Sequence, residues 1–196
     1  MDPTVFFVIP AYNEAGCVGE VIQRVRSRYP RVVVVDDGSG DNTGAVAATA
    51  GAVVLRHLIN RGQGAALKTG IDYALLRGAD IIVTFDSDGQ HRLEDVEALV
   101  EPVRNGLCDV ALGSRFLDSQ TQVPFMRRLT LKMGVWFTRL VSRIKVTDTH
   151  NGLRAFSRKA EEKGRERTSP SLSGGSFAEL TEDYLMQNSS GFLPLY

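Results

Sequence analysis

Val33, Val34 and Val35 stand in unbroken sequence and run directly into two carboxylates, Asp36 and Asp37. β-branched residues without polar alternation predict a strand buried on both faces, the condition of strands in a parallel sheet. The strand is placed at Val32–Asp36, and similar short apolar runs occupy Thr4–Ile9, Ala52–Arg56, Asp80–Phe85 and Asp109–Gly113. Between them lie helical stretches at Glu14–Arg28, Asn42–Ala50, Gln63–Arg77 and Leu93–Arg104, with Asp41 and Asn42 offering N-cap oxygens to the second. This alternation predicts an α/β fold, a mostly parallel sheet with helices on both faces. With 196 residues the chain is long enough for one such domain and short for two.

In open parallel sheets, ligands gather at the carboxyl ends of the strands. The loops after the first, second and fourth predicted strands are Pro10-Ala11-Tyr12-Asn13-Glu14, Asp36-Asp37-Gly38-Ser39 and Asp86-Ser87-Asp88-Gly89-Gln90. These polar segments are predicted to share one edge, which marks it as the candidate site.

Bulk charge steers to no partner, because 23 basic residues balance 23 acidic ones. Nucleic acid is not expected. Cys17 and Cys108 lack metal-type spacing and are expected to be free thiols in a reducing compartment. The opening MDPTVFFVIPAYNE has no basic stretch before its apolar run, so it does not read as a signal peptide. No segment reaches the roughly 18 to 20 apolar residues that span a bilayer.

The chemistry concentrates at Asp86-Ser87-Asp88. Two carboxylates two residues apart at a strand end suit Mg²⁺ or Mn²⁺, which keeps waters and takes diphosphate oxygens at its other positions. A solvated turn has the same composition, and the second acidic loop beside it favours the metal. Asp36-Asp37-Gly38-Ser39 reads equally as a tight turn or as a carboxylate accepting from a base N–H or a ribose hydroxyl.

Six segments then occur in order: Val8-Ile9-Pro10-Ala11-Tyr12-Asn13-Glu14, Val35-Asp36-Asp37-Gly38-Ser39, Asn60-Arg61-Gly62-Gln63-Gly64-Ala65-Ala66, Asp86-Ser87-Asp88-Gly89-Gln90-His91, Gly113-Ser114-Arg115 and Asn151-Gly152-Leu153-Arg154. Over about residues 4 to 157 the chain resembles the family-two inverting glycosyltransferases of GT-A fold. Within them it is similar to the dolichol-phosphate mannosyltransferase and polyprenyl-phosphate glycosyltransferase group. The resemblance implies a GDP- or UDP-linked sugar as donor and a polyprenyl or dolichyl phosphate as acceptor. It implies that Pro10, Ala11, Tyr12 and Glu14 cradle the nucleotide and that Asp37 reads the base, with Val35, Asp86 and Ser87 completing that site. Asp88 and Gln90 are implied as metal ligands, and Arg115 as a phosphate contact. Where the group carries Gly-Lys-Gly, this chain has Gly62-Gln63-Gly64, one cation fewer near the diphosphate; Lys68 lies one helical turn on. Asp86, Asp88, Arg115 and Arg154 are the expected catalytic set. Arg154 reads either as an acceptor-side phosphate contact or as an ion-pair partner of Asp148. His91 and His150 read as supporting or turn residues.

Residues Pro124–Lys145 hold six cations and no anion, with Trp136 and Phe137 on an apolar helical face. They predict either a helix docking at an anionic membrane surface or an ordinary core helix. The expected location is therefore cytoplasmic, peripheral at the cytoplasmic face of a membrane. Beyond Ser157, the charged Arg158–Arg167 and the Ser-, Gly- and Pro-containing Thr168–Ser176 predict a weakly structured tail, 158–196, after a catalytic domain, 1–157. This tail departs from the family's continuation, which predicts an incomplete acceptor site and weak transfer to lipid phosphate. A domain that only binds nucleotide is the other reading. A sugar nucleotidyltransferase is disfavoured because the loop after the first strand carries no Gly-rich, Arg-containing segment. A hydride-transfer enzyme is disfavoured because no Gly-x-Gly-x-x-Gly follows that strand.

Overall fold

The computed structural model describes residues 2–89, 93–113 and 153–167. Six strands form one sheet: β1 Val5–Ala11, β2 Val32–Asp36, β3 Val53–Arg56, β4 Ile81–Thr84, β5 Val110–Leu112 and β6 Arg154–Ser157. Their order is β3-β2-β1-β4-β6-β5. β1 to β4 pair in parallel, and β6 enters antiparallel between β4 and β5. The helices are α1 Val18–Arg26, α2 Thr43–Thr49, α3 Gln63–Leu76, α4 Leu93–Arg104 and α5 Arg158–Arg167.

Alternate residues of the central strands feed two cores. Phe7, Ile9, Val34 and Val83 point to the face that also buries Val18, Val21, Ile22 and Val25 of α1 and Val96 and Val100 of α4. Val8, Val33 and Ile82 point to the face that holds Ile71 and Ala74 of α3 and Ala160 of α5. All five residues of β2 are buried. Gly70 lets α3 close on the sheet, since a Cβ there would collide with Val8.

The first strand runs two residues further than predicted, through Pro10. Backbone direction explains why proline is tolerated in an inner strand. Phe7 N–H donates toward β2, to Arg31, whereas the Val8 carbonyl accepts from Phe85 on the β4 side. Pro10 therefore faces the β4 side, where pairing ends at Val8–Thr84, so its missing N–H falls at the end of that ladder rather than inside it. The first helix starts later than predicted. Glu14 instead opens a turn, its carbonyl accepting from Cys17 and Val18 N–H, and Asn13 adopts φ 55°.

Two features differ from the predicted layout. Strand β6 was not expected, and Arg158–Arg167 is a helix rather than part of a weakly structured tail. Ser157 caps that helix, its Oγ accepting from Ala160 N–H at 3.2 Å. Arg158 pins the first turn, with N–H to the Asp80 carbonyl at 2.8 Å and Nη2 to the Leu75 carbonyl at 3.1 Å. The charged composition belongs to a surface helix anchored by its N-terminal turn. Residues 168–196 lie outside the described residues, as do Gln90, His91, Arg115, the segment 124–145 and His150.

Candidate active site

The parallel strands end at Ala11, Asp36, Arg56 and Thr84, so the loops that follow them share one edge, as the sequence predicts. These loops are tied to each other before any ligand arrives. Asn13 N–H donates to Ser39 Oγ at 2.9 Å, and Gly40 N–H donates back to Asn13 Oδ1 at 2.9 Å. Glu14 N–H donates to Thr43 Oγ1 at 2.8 Å, and Ala15 N–H to Asp41 Oδ2 at 3.2 Å. Pro10 and Ala11 are buried in β1, with Val35 beside Pro10, while Tyr12 is 48% exposed and half-buried Glu14 turns at the rim.

Asp36 and Asp37 diverge because successive residues leave a strand on opposite faces. Asp36 Oδ1 accepts from Ser39 N–H at 2.9 Å, and its other oxygen lies 3.4 Å from Arg56 Nε. Asp37 turns to the other side, 3% exposed, and gathers the loop between β3 and α3. Its oxygens accept from Arg61 N–H at 3.0 and 3.1 Å and from Gly62 N–H at 2.7 Å. His57 Nδ1 meets it at 2.6 Å, and His57 Nε2 lies 3.0 Å from Thr69 Oγ1. Burial opposes the charge on Asp37, but the amides of Arg61 and Gly62 and the histidine outweigh it and hold its carboxyl below the usual carboxylate pKa. A carboxylate has about four acceptor directions, so three donors leave about one for a ligand N–H. Gly38 permits the close packing of the two loops. At φ 75°, a Cβ would stand 2.6 Å from the Ile59 carbonyl carbon.

After β4, Ser87 is buried, Asp86 half-buried and Asp88 exposed. Gln63, the first residue of α3, donates Nε2–H to Asp86 Oδ1 at 3.2 Å. Lys68 Nζ is paired with Asp72 at 2.8 Å. Arg154 opens β6 opposite Thr84, which brings it to the same edge as Asp86. Cys17 donates its thiol to Glu14 Oε2 at 2.9 Å. That bond, burial, and the charges of Glu14, Asp88 and Glu20 push the thiol pKa up to about 11. Among the described residues no three His, Cys, Asp or Glu side chains converge. The two hard carboxylates at this turn fit a cation that keeps most of its positions for water and diphosphate, and do not fit one that needs a full protein cage.

Sequence reasoning did not single out His57, Thr43 or Arg24, the last of which donates to the Gly89 carbonyl. No spacing announces them, since each acts through a contact between distant segments.

Residues 6–165 match the family described as Glycosyl transferase family 2. The chain belongs to that family. Among relatives of this glycosyltransferase is the UDP-N-acetylglucosamine–dolichyl-phosphate N-acetylglucosaminyltransferase of Methanococcus voltae, 32% identical over 180 residues, covering 81% of this chain and 71% of that protein. Another is the polyprenol monophosphomannose synthase of Mycolicibacterium smegmatis, 35% identical over 166 residues, covering 80% of this chain and 62% of that one. The expected likeness to polyprenyl-phosphate glycosyltransferases is thus borne out. Glucosyl-3-phosphoglycerate synthase from Mycobacterium tuberculosis, solved with Mn²⁺, uridine diphosphate and glucosyl-3-phosphoglycerate, superposes with a TM-score of 0.68 at 21% identity. It covers 96% of this chain and 66% of that one. The fold of the family-two chain is of GT-A type.

Proposed function

We propose that this glycosyltransferase moves a hexose from a GDP- or UDP-linked donor to a polyprenyl or dolichyl phosphate, with inversion and with Mg²⁺ or Mn²⁺. The observation that carries the reading is the Asp86-Ser87-Asp88 turn at the carboxyl end of β4, joined through Gln63 to the loop that Asp37 organises. The lipid acceptors named for the two relatives support the acceptor class. The Mn²⁺ bound by the fold neighbour agrees with the chemistry of the turn.

In this reading Pro10, Ala11, Tyr12 and Glu14 line the nucleotide, Asp37 accepts from the base, and Val35, Asp86 and Ser87 complete the pocket. Asp88 and Gln90 hold the cation, which when bound offsets charge on the departing diphosphate. A phosphate acceptor is already anionic at neutral pH and needs little help from a base. The demanding task is holding two anions together, which suits Arg115 on the donor side and Arg154 on the acceptor side, each with a planar fork for phosphate oxygens.

No described helix is long and apolar enough to cross a membrane. We place the protein at the cytoplasmic face of a membrane, with 124–145 as its peripheral contact. Following nucleoside diphosphate release from UDP- and GDP-hexoses, with and without a short polyprenyl phosphate, tests the reading.

A further inference from the structure

Arg24 lies outside every role assigned above. It sits in the last turn of α1, whose Val18, Val21, Ile22 and Val25 are buried against the sheet. Its guanidinium reaches a turn far away in the chain, with Nη2 donating to the Gly89 carbonyl at 3.1 Å. Gly89 adopts φ 73°, and a Cβ there would lie 3.6 Å from Val21 Cγ2 and 3.7 Å from Arg24 Nη2. The turn that carries Asp88 is therefore tied to α1 by the Arg24 guanidinium, with Val21 next to Gly89. Nε of the same guanidinium is buried with no acceptor among the described residues. An arginine that served only the helix C-terminus would keep its head group in water. Among the described residues, this one has a buried donor with no acceptor while Nη2 holds the Gly89 carbonyl.

We infer that Arg24 is a positioning residue for the cation-binding turn. By fixing the Gly89 carbonyl it holds the neighbouring Asp88 carboxylate in the orientation a divalent cation needs. The inference rests on the proposed metal site at Asp88. Two effects of losing Arg24 have opposite signs, which makes its role measurable. Removing a positive charge from the neighbourhood would, by Coulomb's law alone, tighten binding of a cation. Releasing the turn would weaken it, as loss of a group that orients a metal ligand does.

Titration with Mn²⁺ of the full chain plus UDP or GDP, against the same nucleotide without protein and read from the electron paramagnetic resonance of the free ion, separates them. Wild type is expected to bind and Asp88→Asn to lose binding. Arg24→Met is expected to raise the Kd by roughly tenfold or more. Arg24→Lys, which keeps the charge and one donor for Gly89, is expected to recover much of that loss. Should Arg24→Met not fold, Arg24→Gln replaces it, being too short for Gly89 but still polar where Nε is buried, and the same loss is expected. If wild type binds Mn²⁺, Asp88→Asn does not, and the Met or Gln variant binds as tightly as wild type or tighter, Arg24 has no positioning role while the metal site stands. If wild type itself binds no Mn²⁺, the metal site and the role of Arg24 fall together.

Discussion

Asp37 and His57 meet at 2.6 Å in the interior, between the end of β2 and the end of β3. The pair does more than fill a turn. With the amides of Arg61 and Gly62 on the same carboxylate, it sets the course of the chain into α3 and so places Gln63 beside Asp86.

Replacing His57 by Ala should therefore cost roughly 1.5 to 3 kcal/mol, the usual contribution of a hydrogen bond to a charged group. Denaturant unfolding of wild type and His57→Ala checks this. A loss under about 1 kcal/mol would mean that the carboxylate is already satisfied by the two amides.

The same pair has a pH signature. The folded pKa of Asp37 is held below its unfolded value, which lies near 3.8. Its contribution is therefore fully present above that value and is lost as pH falls through the lower folded pKa. Unfolding free energy measured from pH 6 to pH 2 should drop more steeply in wild type than in Asp37→Asn. Equal slopes would contradict the assignment.

Gln63, the position where the resemblance implies lysine, reaches Asp86 as a neutral donor. Gln63→Lys should bring back one cation near the diphosphate. A partly exposed charge pair contributes about 1 kcal/mol, so UDP or GDP should bind about fivefold more tightly by calorimetry. Weaker binding would mean that the amide itself is required.

Cys17 reports on the site from its rim. Its thiol pKa is raised to about 11, so alkylation at pH 8 should be slow although the residue is partly exposed. Because Asp88 is among the groups that raise it, Asp88→Asn should speed the reaction with iodoacetamide, read by mass spectrometry. Buried Cys108 should stay unmodified meanwhile. A rate indifferent to Asp88→Asn would place that carboxylate's influence elsewhere. The raised pKa also stabilises the fold below the unfolded thiol value near 9, an effect lost as pH rises through about 11.

The strands of the parallel half were legible because their apolar, β-branched runs, Val32–Val35 above all, are buried in the sheet's interior, and dense polar segments follow them. Arg154–Ser157 was missed as a strand because four residues with two polar ends show no period of their own; its burial comes from insertion between β4 and β5. Arg158–Arg167 was misread because a charged composition looks the same in a tail and in a surface helix. The capping Ser157 and the grip of Arg158 on Leu75 and Asp80 decide between them. At the site, the carboxylate positions were legible and their partners were not. Nothing local in the sequence says that Asp37 answers to His57, or Gly89 to Arg24.

The most direct test of the central claim is incubation of the full chain with Mn²⁺, a UDP- or GDP-hexose and a short polyprenyl phosphate, with the lipid fraction read by mass spectrometry. The account predicts a lipid monophosphate heavier by one hexose residue, formed together with nucleoside diphosphate and absent from Asp88→Asn. Tight nucleotide binding with no lipid product from any such donor would contradict it.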